Sequence, residues 1–257
     1  GRGGVARSLK LGDDILAGDK SITGNSSRVL LHINDGSDIK IGEDSSFRFQ
    51  SASQPAASGI FQAELGLLSG AFRYTTNKLR PQSKRNLKIG VGVVSVGIRG
   101  TDVWGKSGST EDTVVLIEGD VELTKPAGQP QRLNVPLMHI VSPKKLPLTN
   151  PIPVVMSDLK AWAFETELQA GNGIVQEGGR YRVHLGAFSS QSDADKLVAK
   201  LDAKGFHSQI ETHSTASQQW HRVLIANLAS LDDAKSVGEK ISAITGRSDY
   251  WFSSSVY

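Results

Sequence analysis

The chain has 257 residues, of which 38% are hydrophobic and 21% charged, so it is long enough for two globular domains of ordinary size. Its 29 basic and 26 acidic residues give a net charge of +3, and their scattered placement gives little support to nucleic-acid binding. The absence of cysteine excludes thiolate metal sites, a catalytic cysteine and disulfides. No apolar run approaches the roughly 18 residues that span a bilayer.

Residues 1–135 show strand patterns and almost no helix. Alternating apolar residues at 29–33 and 39–41 flank the turn sequence Asn-Asp-Gly-Ser at 34–37, which predicts a β-hairpin. The sequence Glu-Gly-Asp at 118–120 indicates a second hairpin. Many short strands punctuated by glycine and aspartate predict a mainly β domain, a sandwich or a roll.

Several motifs of this region resemble the FecR-like domain of bacterial envelope proteins. They are Leu16-Ala17-Gly18-Asp19, Thr23-Gly24, the hairpin Leu30–Ile41, the block Val96–Trp104 with Gly100-Thr101-Asp102, and Glu118-Gly119-Asp120-Val121. The resemblance implies an extracytoplasmic protein-interaction domain, which in some relatives relays a surface signal to a sigma factor.

Residues 136–177 are predicted to link two domains. Seven of the nine prolines lie between 126 and 153, and because proline fixes φ and lacks an amide donor, we expect a stiff, extended connector there. Apolar spacing predicts one helix at 157–169, capped by Ser157 or Asp158, with Trp162 packed against a neighbouring domain. A flexible joint is expected at 171–179.

The last third of the chain, 178–257, contains an internal repeat. Tyr181–Phe188 and His221–Leu228 are similar alternating runs, and each precedes a helical pattern that opens with Ser-x-x-Asp, at 190–193 and 230–233. The predicted order is strand 181–188, helix 191–204, strand 206–212, strand 219–226, helix 231–245 and strand 249–254. This βαββαβ order predicts an α+β domain, a four-stranded antiparallel sheet with two helices on one face.

Alternation along the strands assigns side chains to the two faces of this sheet. The helix-packed face is predicted to contain Val183, Leu185, Phe206, Ser208, Ile210, Val223 and Ile225. The opposite face is predicted to contain Arg182, His184, His207, Gln209, Trp220, Arg222 and Leu224. A tryptophan among guanidinium and imidazole groups indicates an interaction surface, unless the connector or the preceding helix covers this face.

The motifs Tyr181–Phe188, Leu197, Leu201, Gly205-Phe206 and Trp220–Val223 resemble the SPOR domain, the sporulation-related repeat. The resemblance implies binding to peptidoglycan glycan strands that have lost their stem peptides. The ligand residues implied are His184, where the family usually has Gln, Ala187, Trp220, Arg222 and, on the last strand, Trp251. Arg182 and Gln209, on the same predicted face, complete the expected site.

Other chemistries have weaker support. The βαββαβ order also builds RNA-recognition domains, but the segment that mimics their first-strand motif, residues 223–228, begins too close to the end of the chain. The glycine-rich stretch 90–97 is better explained as a strand than as a phosphate loop, because it lacks the spacing and the following helix. The histidines show no zinc-ligand spacing, and no nucleophile elbow or identifiable carboxylate pair suggests catalysis.

We therefore predict a non-enzymatic protein of the periplasm or cell envelope, without a cofactor. Residues 1–135 would bind a protein partner, and residues 178–257 would bind denuded glycan strands. The alternative is an extracytoplasmic signalling regulator that acts through the FecR-like domain, with the SPOR-like domain only an anchor. Because the numbering begins without a methionine, we expect that a signal peptide or membrane anchor preceded Gly1.

Overall fold

The computed structural model describes residues 6–53, 60–76, 85–98, 100–126, 128–215 and 218–254. The strands are β1 (Lys20–Ile22), β2 (Val29–His32), β3 (Asp38–Ile41), β4 (Ser46–Ser53), β5 (Phe61–Thr75), β6 (Arg85–Val91), β7 (Val94–Ile98), β8 (Asp102–Ser107), β9 (Glu111–Glu118), β10 (Val121–Thr124), β11 (Gln131–Leu133), β12 (Met138–Pro143), β13 (Ile152–Pro153), β14 (Tyr181–Phe188), β15 (Gln209–Ser214), β16 (Gln219–Leu228) and β17 (Trp251–Ser254). The helices are α1 (Met156–Thr166), α2 (Gln191–Asp202) and α3 (Leu231–Thr245). The chain divides into two compact units. One contains Ile15–Leu168, and the other contains Ala6–Asp14 and the chain from Gln169 onward.

The first unit is built around the long strand β5, which belongs to two groups of strands. Its first part pairs with β4 and β6, and its last part pairs with β3 and β8. The two parts meet at Gly70, whose φ of +87° is one that side chains other than glycine rarely adopt. Apolar side chains from both groups form one buried core that includes Phe47, Phe72 and Ile89. The predicted mainly β fold is confirmed.

The two hairpins predicted in this unit have different outcomes. The first is confirmed, because β2 and β3 pair antiparallel with Val29 opposite Ile41. The second is wrong, because β9 pairs with β8 and β12 whereas β10 pairs with β7 and β11. At Gly119, φ is +98° and a Cβ would lie 2.5 Å from the Gly100 carbonyl oxygen, so this tight turn passes the chain from one group of strands to the other. The stretch 90–97 was expected to be one strand, but it contains the end of β6, a turn at 92–93 and most of β7, which pair as a hairpin.

Part of the predicted linker belongs to the first unit. Strands β12 and β13 continue the sheet beyond β9, and α1 packs on it through Trp162. The Trp162 ring stacks on the buried Trp104 ring at 5.4 Å between centroids and contacts His139 edge-on at 5.3 Å. The extended connector expected over 126–153 is therefore replaced, along β11, β12 and β13, by paired strands. The domain boundaries at 135 and 178 stay predictions.

Charged groups hold the C-terminal end of α1. Arg73 forms a two-bond ion pair with Asp102, at 2.9 and 2.7 Å, and also donates to Glu167 at 2.7 Å. Lys40 pairs with the same Glu167, and Arg28 donates to the Glu165 carbonyl at 3.0 Å. The helix prediction is confirmed, but the predicted capping is wrong, since Val155 occupies the N-cap position without a side-chain bond.

The second unit has the predicted βαββαβ order. Its sheet order is β15-β16-β14-β17, with antiparallel pairing throughout. Helices α2 and α3 pack against a core that includes six of the seven residues predicted for this face: Val183, Leu185, Val223 and Ile225, with Phe206 and Ile210 packed against them. The seventh, Ser208, precedes β15 and is not part of this core. Strand β15 begins at Gln209, three residues later than expected.

The segment predicted as a flexible joint is hydrogen-bonded to this unit. The amides of Gly173 and Ile174 donate to the Asp233 carboxylate at 2.9 and 3.0 Å. Val175 forms a β-bridge with Leu228, and the Ala229 amide donates to the Ile174 carbonyl at 2.9 Å. The expectation of flexibility at 171–179 is therefore wrong for these residues, because the start of α3 binds them.

The two Ser-x-x-Asp motifs behave differently. Ser230 caps α3 and accepts a hydrogen bond from the Asp233 amide at 3.0 Å, as predicted. Ser190 occupies the N-cap of α2 but makes no side-chain capping bond, so this half of the prediction is wrong. In the described ranges, no helix combines the length and the apolar character needed to cross a bilayer.

Candidate functional site

The face of the second sheet opposite the helices carries the predicted site residues. Cross-strand partners in a sheet share a face, so the strand register defines three rows of side chains. The rows are Gln209–Leu224–His184–Trp251, Glu211–Arg222–Ala187 and His213–Trp220, with Arg182 and Ser253 paired beside them. We call these eleven residues the open face. All seven predicted site residues lie on it, whereas His207 precedes β15 and lies 3.4 Å from the Asp202 carboxylate.

A β-bulge places Ala187 on the open face. The pairing of β14 with β16 shifts between His184 and Gly186, so that Ala187 lies opposite Arg222. In a regular strand Gly186 would share a face with His184, but the extra residue at Leu185 exchanges the two positions. Simple alternation therefore misses Ala187, and only the family resemblance identified it.

His184 and Trp251 form one end of the face. Their rings stack with centroids 4.8 Å apart and planes at 4°, and the His184 Nε2 lies 2.8 Å from the Ser253 hydroxyl. His184 is only 5% exposed, whereas Trp251 is 40% exposed. Burial lowers the pKa of His184, the Arg222 charge lowers it further, Glu211 opposes this and Arg182 adds to it. The imidazole is therefore neutral at neutral pH, and within the described part of the chain its Nδ1 has no hydrogen-bond partner.

The centre of the face is occupied by an ion pair. Arg182 on β14 donates to both Glu211 oxygens on β15, at 3.1 and 3.2 Å, and thus spans the intervening strand β16. Gln209 donates to the same carboxylate at 3.3 Å. Leu224, which lies on β16 between these strands, is fully buried. Two predicted ligand residues, Arg182 and Gln209, therefore already have a partner in Glu211.

Glu211 and Ser253 were missed by sequence reasoning. Each lies two residues after a predicted site residue, Glu211 after Gln209 and Ser253 after Trp251. Since residues two apart on a strand share a face, the alternation that selected Gln209 was enough to find Glu211.

Trp220 lies at the other end of the face, and Arg222 lies beside Glu211 in the middle row. Both are half-buried, and they lie two residues apart on β16. Among the described residues, neither the Trp220 ring nor the Arg222 guanidinium has a hydrogen bond, an ion pair or a stacking partner. These two groups are therefore available to a ligand, whereas Arg182 is already paired.

The comparison with family models gives one match in each of the two units. The family model described as SPOR domain matches residues 177–251, and the one described as FecR protein matches residues 19–122. The chain joins a FecR domain to a SPOR domain. Both predicted resemblances are confirmed. SPOR domains bind peptidoglycan, and SPOR and FecR are envelope-associated families with binding or regulatory rather than catalytic roles.

Structural comparison gives only distant similarity. Two crystal structures of a candidate anti-sigma factor from Parabacteroides distasonis ATCC 8503, at 1.65 and 2.50 Å resolution, each align with 93% of this chain. The alignments cover 100% and 99% of those chains, with 13% identity and a TM-score of 0.45 in both cases. Values this low support no conclusion about the FecR or the SPOR domain. No curated protein matches the chain.

No metal centre is evident in the ranges that the structure describes, where no group of three or more His, Asp or Glu side chains is placed to hold an ion. The open face of the SPOR domain therefore offers aromatic surfaces, hydrogen-bond donors and one cation, Arg222, that has no partner among the described residues.

Proposed function

We propose that this protein binds peptidoglycan in the bacterial cell envelope through the open face of its SPOR domain, with glycan strands stripped of stem peptides as the ligand. The observation that carries the proposal is the pairing of Trp220 with Arg222 on one strand, both without partners among the described residues. An aromatic ring can stack on the apolar C–H face of a pyranose, while a guanidinium donates to hydroxyl, acetamido or carboxylate oxygens.

The shape of the face fits an extended ligand. Four strands spaced by about 4.8 Å give a surface about 14 Å across, on which Trp220 of β16 lies two strands away from Trp251 of β17. Ala187 is the cross-strand partner of Arg222, and its small side chain leaves space for a ligand beside the guanidinium. A bare glycan strand would lie along this surface, whereas bulky stem peptides would collide with the side chains around it.

The role proposed for the whole protein is non-enzymatic. The SPOR domain would hold it on the glycan in the periplasm, and the FecR domain would bind a protein partner. The experiment that tests the glycan proposal is co-sedimentation of the full chain with insoluble sacculi, before and after treatment with an amidase that removes stem peptides.

Binding should rise after amidase treatment, because more denuded strand is exposed. A protein that fails to sediment with treated sacculi, while it remains folded by circular dichroism, would contradict the proposal. Equal sedimentation with treated and untreated sacculi would retain peptidoglycan binding but reject denuded strands as the preferred ligand.

A further inference from the structure

The open face has an excess of one positive charge. Arg182 and Arg222 contribute two cations and Glu211 one anion, while His184 is neutral at neutral pH. The Glu211 carboxylate accepts hydrogen bonds from Arg182 and Gln209. The charge left without a partner among the described residues is therefore that of Arg222.

A surface with one uncompensated cation is complementary to an anion rather than to a neutral sugar. Denuded glycan carries such an anion. In intact peptidoglycan the stem peptide is joined by an amide bond to the lactyl carboxyl group of each substituted muramic acid residue, and hydrolysis of that amide leaves a free carboxylate on the sugar.

We infer that Arg222 binds the lactyl carboxylate of a muramic acid residue. The open face would then recognise denuded glycan by the negative charge of its carboxylates as well as by the absence of stem peptides. This inference rests on the proposed function and specifies its ligand chemistry. A guanidinium can donate two parallel hydrogen bonds to a carboxylate, a geometry that a hydroxyl or acetamido oxygen cannot match.

Arg222 has three neighbours on the open face. Its register partner on β15 is Glu211, whose carboxylate binds Arg182 and makes no hydrogen bond with Arg222 among the described residues. Its neighbour on β14 is Ala187, which is exposed and too small to shield the guanidinium. Its neighbour two residues away is Trp220, whose ring would hold the sugar that bears the carboxylate. Because Arg222 is half-buried, its attraction to an anion is less weakened by water than that of a fully exposed cation.

The test measures binding of the full chain to three soluble ligands by calorimetry at low ionic strength. The ligands are denuded glycan, the same glycan with its carboxylates converted to methylamides by carbodiimide coupling, and a neutral chitooligosaccharide of equal length. We expect wild type to bind the methylamide at least tenfold more weakly than the carboxylate form. Arg222→Gln should bind both forms equally, at the level of the wild type with the methylamide.

A matched control is Lys235→Gln. Lys235 is an exposed cation on α3, paired with Asp232 at 3.2 Å, and its loss should leave the preference for the carboxylate unchanged. Equal affinity of wild type for the carboxylate and methylamide forms would overturn the inference while leaving glycan binding intact. No binding of wild type to any of the three ligands would reject the proposed function and the inference with it.

Discussion

His184 and Trp251 lie face to face across β14 and β17, with ring centroids 4.8 Å apart and planes only 4° from parallel. The stack covers one face of the indole with a buried imidazole, and the Ser253 hydroxyl at 2.8 Å fixes the imidazole in turn. The resemblance to the SPOR domain led us to expect glutamine at position 184. A stacked ring holds Trp251 in place as glutamine does not, and it introduces a titratable group into the SPOR domain.

The first prediction follows from the lowered pKa of His184. Burial is the main cause of the lowering, the charges of Arg222 and Arg182 add to it, and the charge of Glu211 opposes it. Since the folded pKa lies below the unfolded value of about 6.5, the unfolded chain binds more protons between the two values. The contribution of neutral His184 to the free energy of unfolding of the SPOR domain should therefore be fully present above pH 6.5. It should be lost as the pH falls through the lowered folded pKa.

Amide hydrogen exchange in β14 and β17 between pH 8 and pH 5, corrected for the intrinsic rate, measures this effect. In His184→Gln the pH-dependent part should decrease. The control His213→Gln, an exposed open-face histidine on β15, should behave as wild type. The same pH dependence in wild type and His184→Gln would show that other groups cause it.

The second prediction concerns Trp220. Its ring has no stacking partner among the described residues, so Trp220→Ala removes contacts with the ligand and few within the fold. We expect affinity for denuded glycan to fall by about 1–3 kcal/mol, as for an aromatic hot spot, with an unchanged unfolding temperature. The control Phe164→Ala removes an exposed aromatic side chain from the other unit and should retain wild-type sedimentation with sacculi. If Trp220→Ala binds denuded glycan with wild-type affinity, the Trp220 ring is not part of the binding site.

The third prediction compares two neighbouring aspartates at the start of α3. Burial opposes ionisation of Asp233, but hydrogen bonds from the Ser230 hydroxyl and from the Ile174, Gly173 and Gly171 amides outweigh it and lower its pKa. Asp233→Asn should destabilise the SPOR domain by about 1.5–3 kcal/mol, because it weakens charge-assisted hydrogen bonds.

Asp232→Asn is the control, since Asp232 is exposed and its surface ion pair with Lys235 is worth at most about 1 kcal/mol. Urea unfolding provides the free energies, and exchange of the Gly173 and Ile174 amides should accelerate only in Asp233→Asn. Similar free energies in the two variants would contradict a special role for Asp233. Its contribution should be lost as the pH falls through the lowered folded pKa, because the unfolded chain takes up the proton first.

The sequence was sufficient where local periodicity determines the structure. Strand alternation predicted that Trp220 and Arg222 share a face and that Val183 and Val223 pack against the helices, because a strand repeats every two residues. It was insufficient at Ala187, since the bulge at Leu185 shifts the alternation by one and leaves no local hydrophobic signal.

Long-range contacts explain the other differences. The hairpin expected at 118–120 failed because pairing partners depend on the whole sheet, and β9 and β10 have better partners elsewhere. The composition of the predicted linker could not reveal that α1 packs on Trp104, a ring far away in the sequence. Arg182 is an example in the site itself, since only the fold brings it to Glu211 across β16.

The last prediction tests whether α1 is an integral part of the first unit. Trp162 stacks on the buried Trp104 ring at 5.4 Å and contacts His139, so Trp162→Ala leaves a cavity beneath the helix. We expect the free energy of unfolding of that unit to fall by about 3 kcal/mol, the lower end of the range for large core rings, because Trp162 is half-buried. Lys160→Ala, an exposed change on the same helix, should stay within about 0.5 kcal/mol of wild type. Denaturant unfolding followed by tryptophan fluorescence and circular dichroism measures both. Equal stability of the two variants would contradict this prediction, because it would show that the Trp162 ring does not anchor α1 to the first unit.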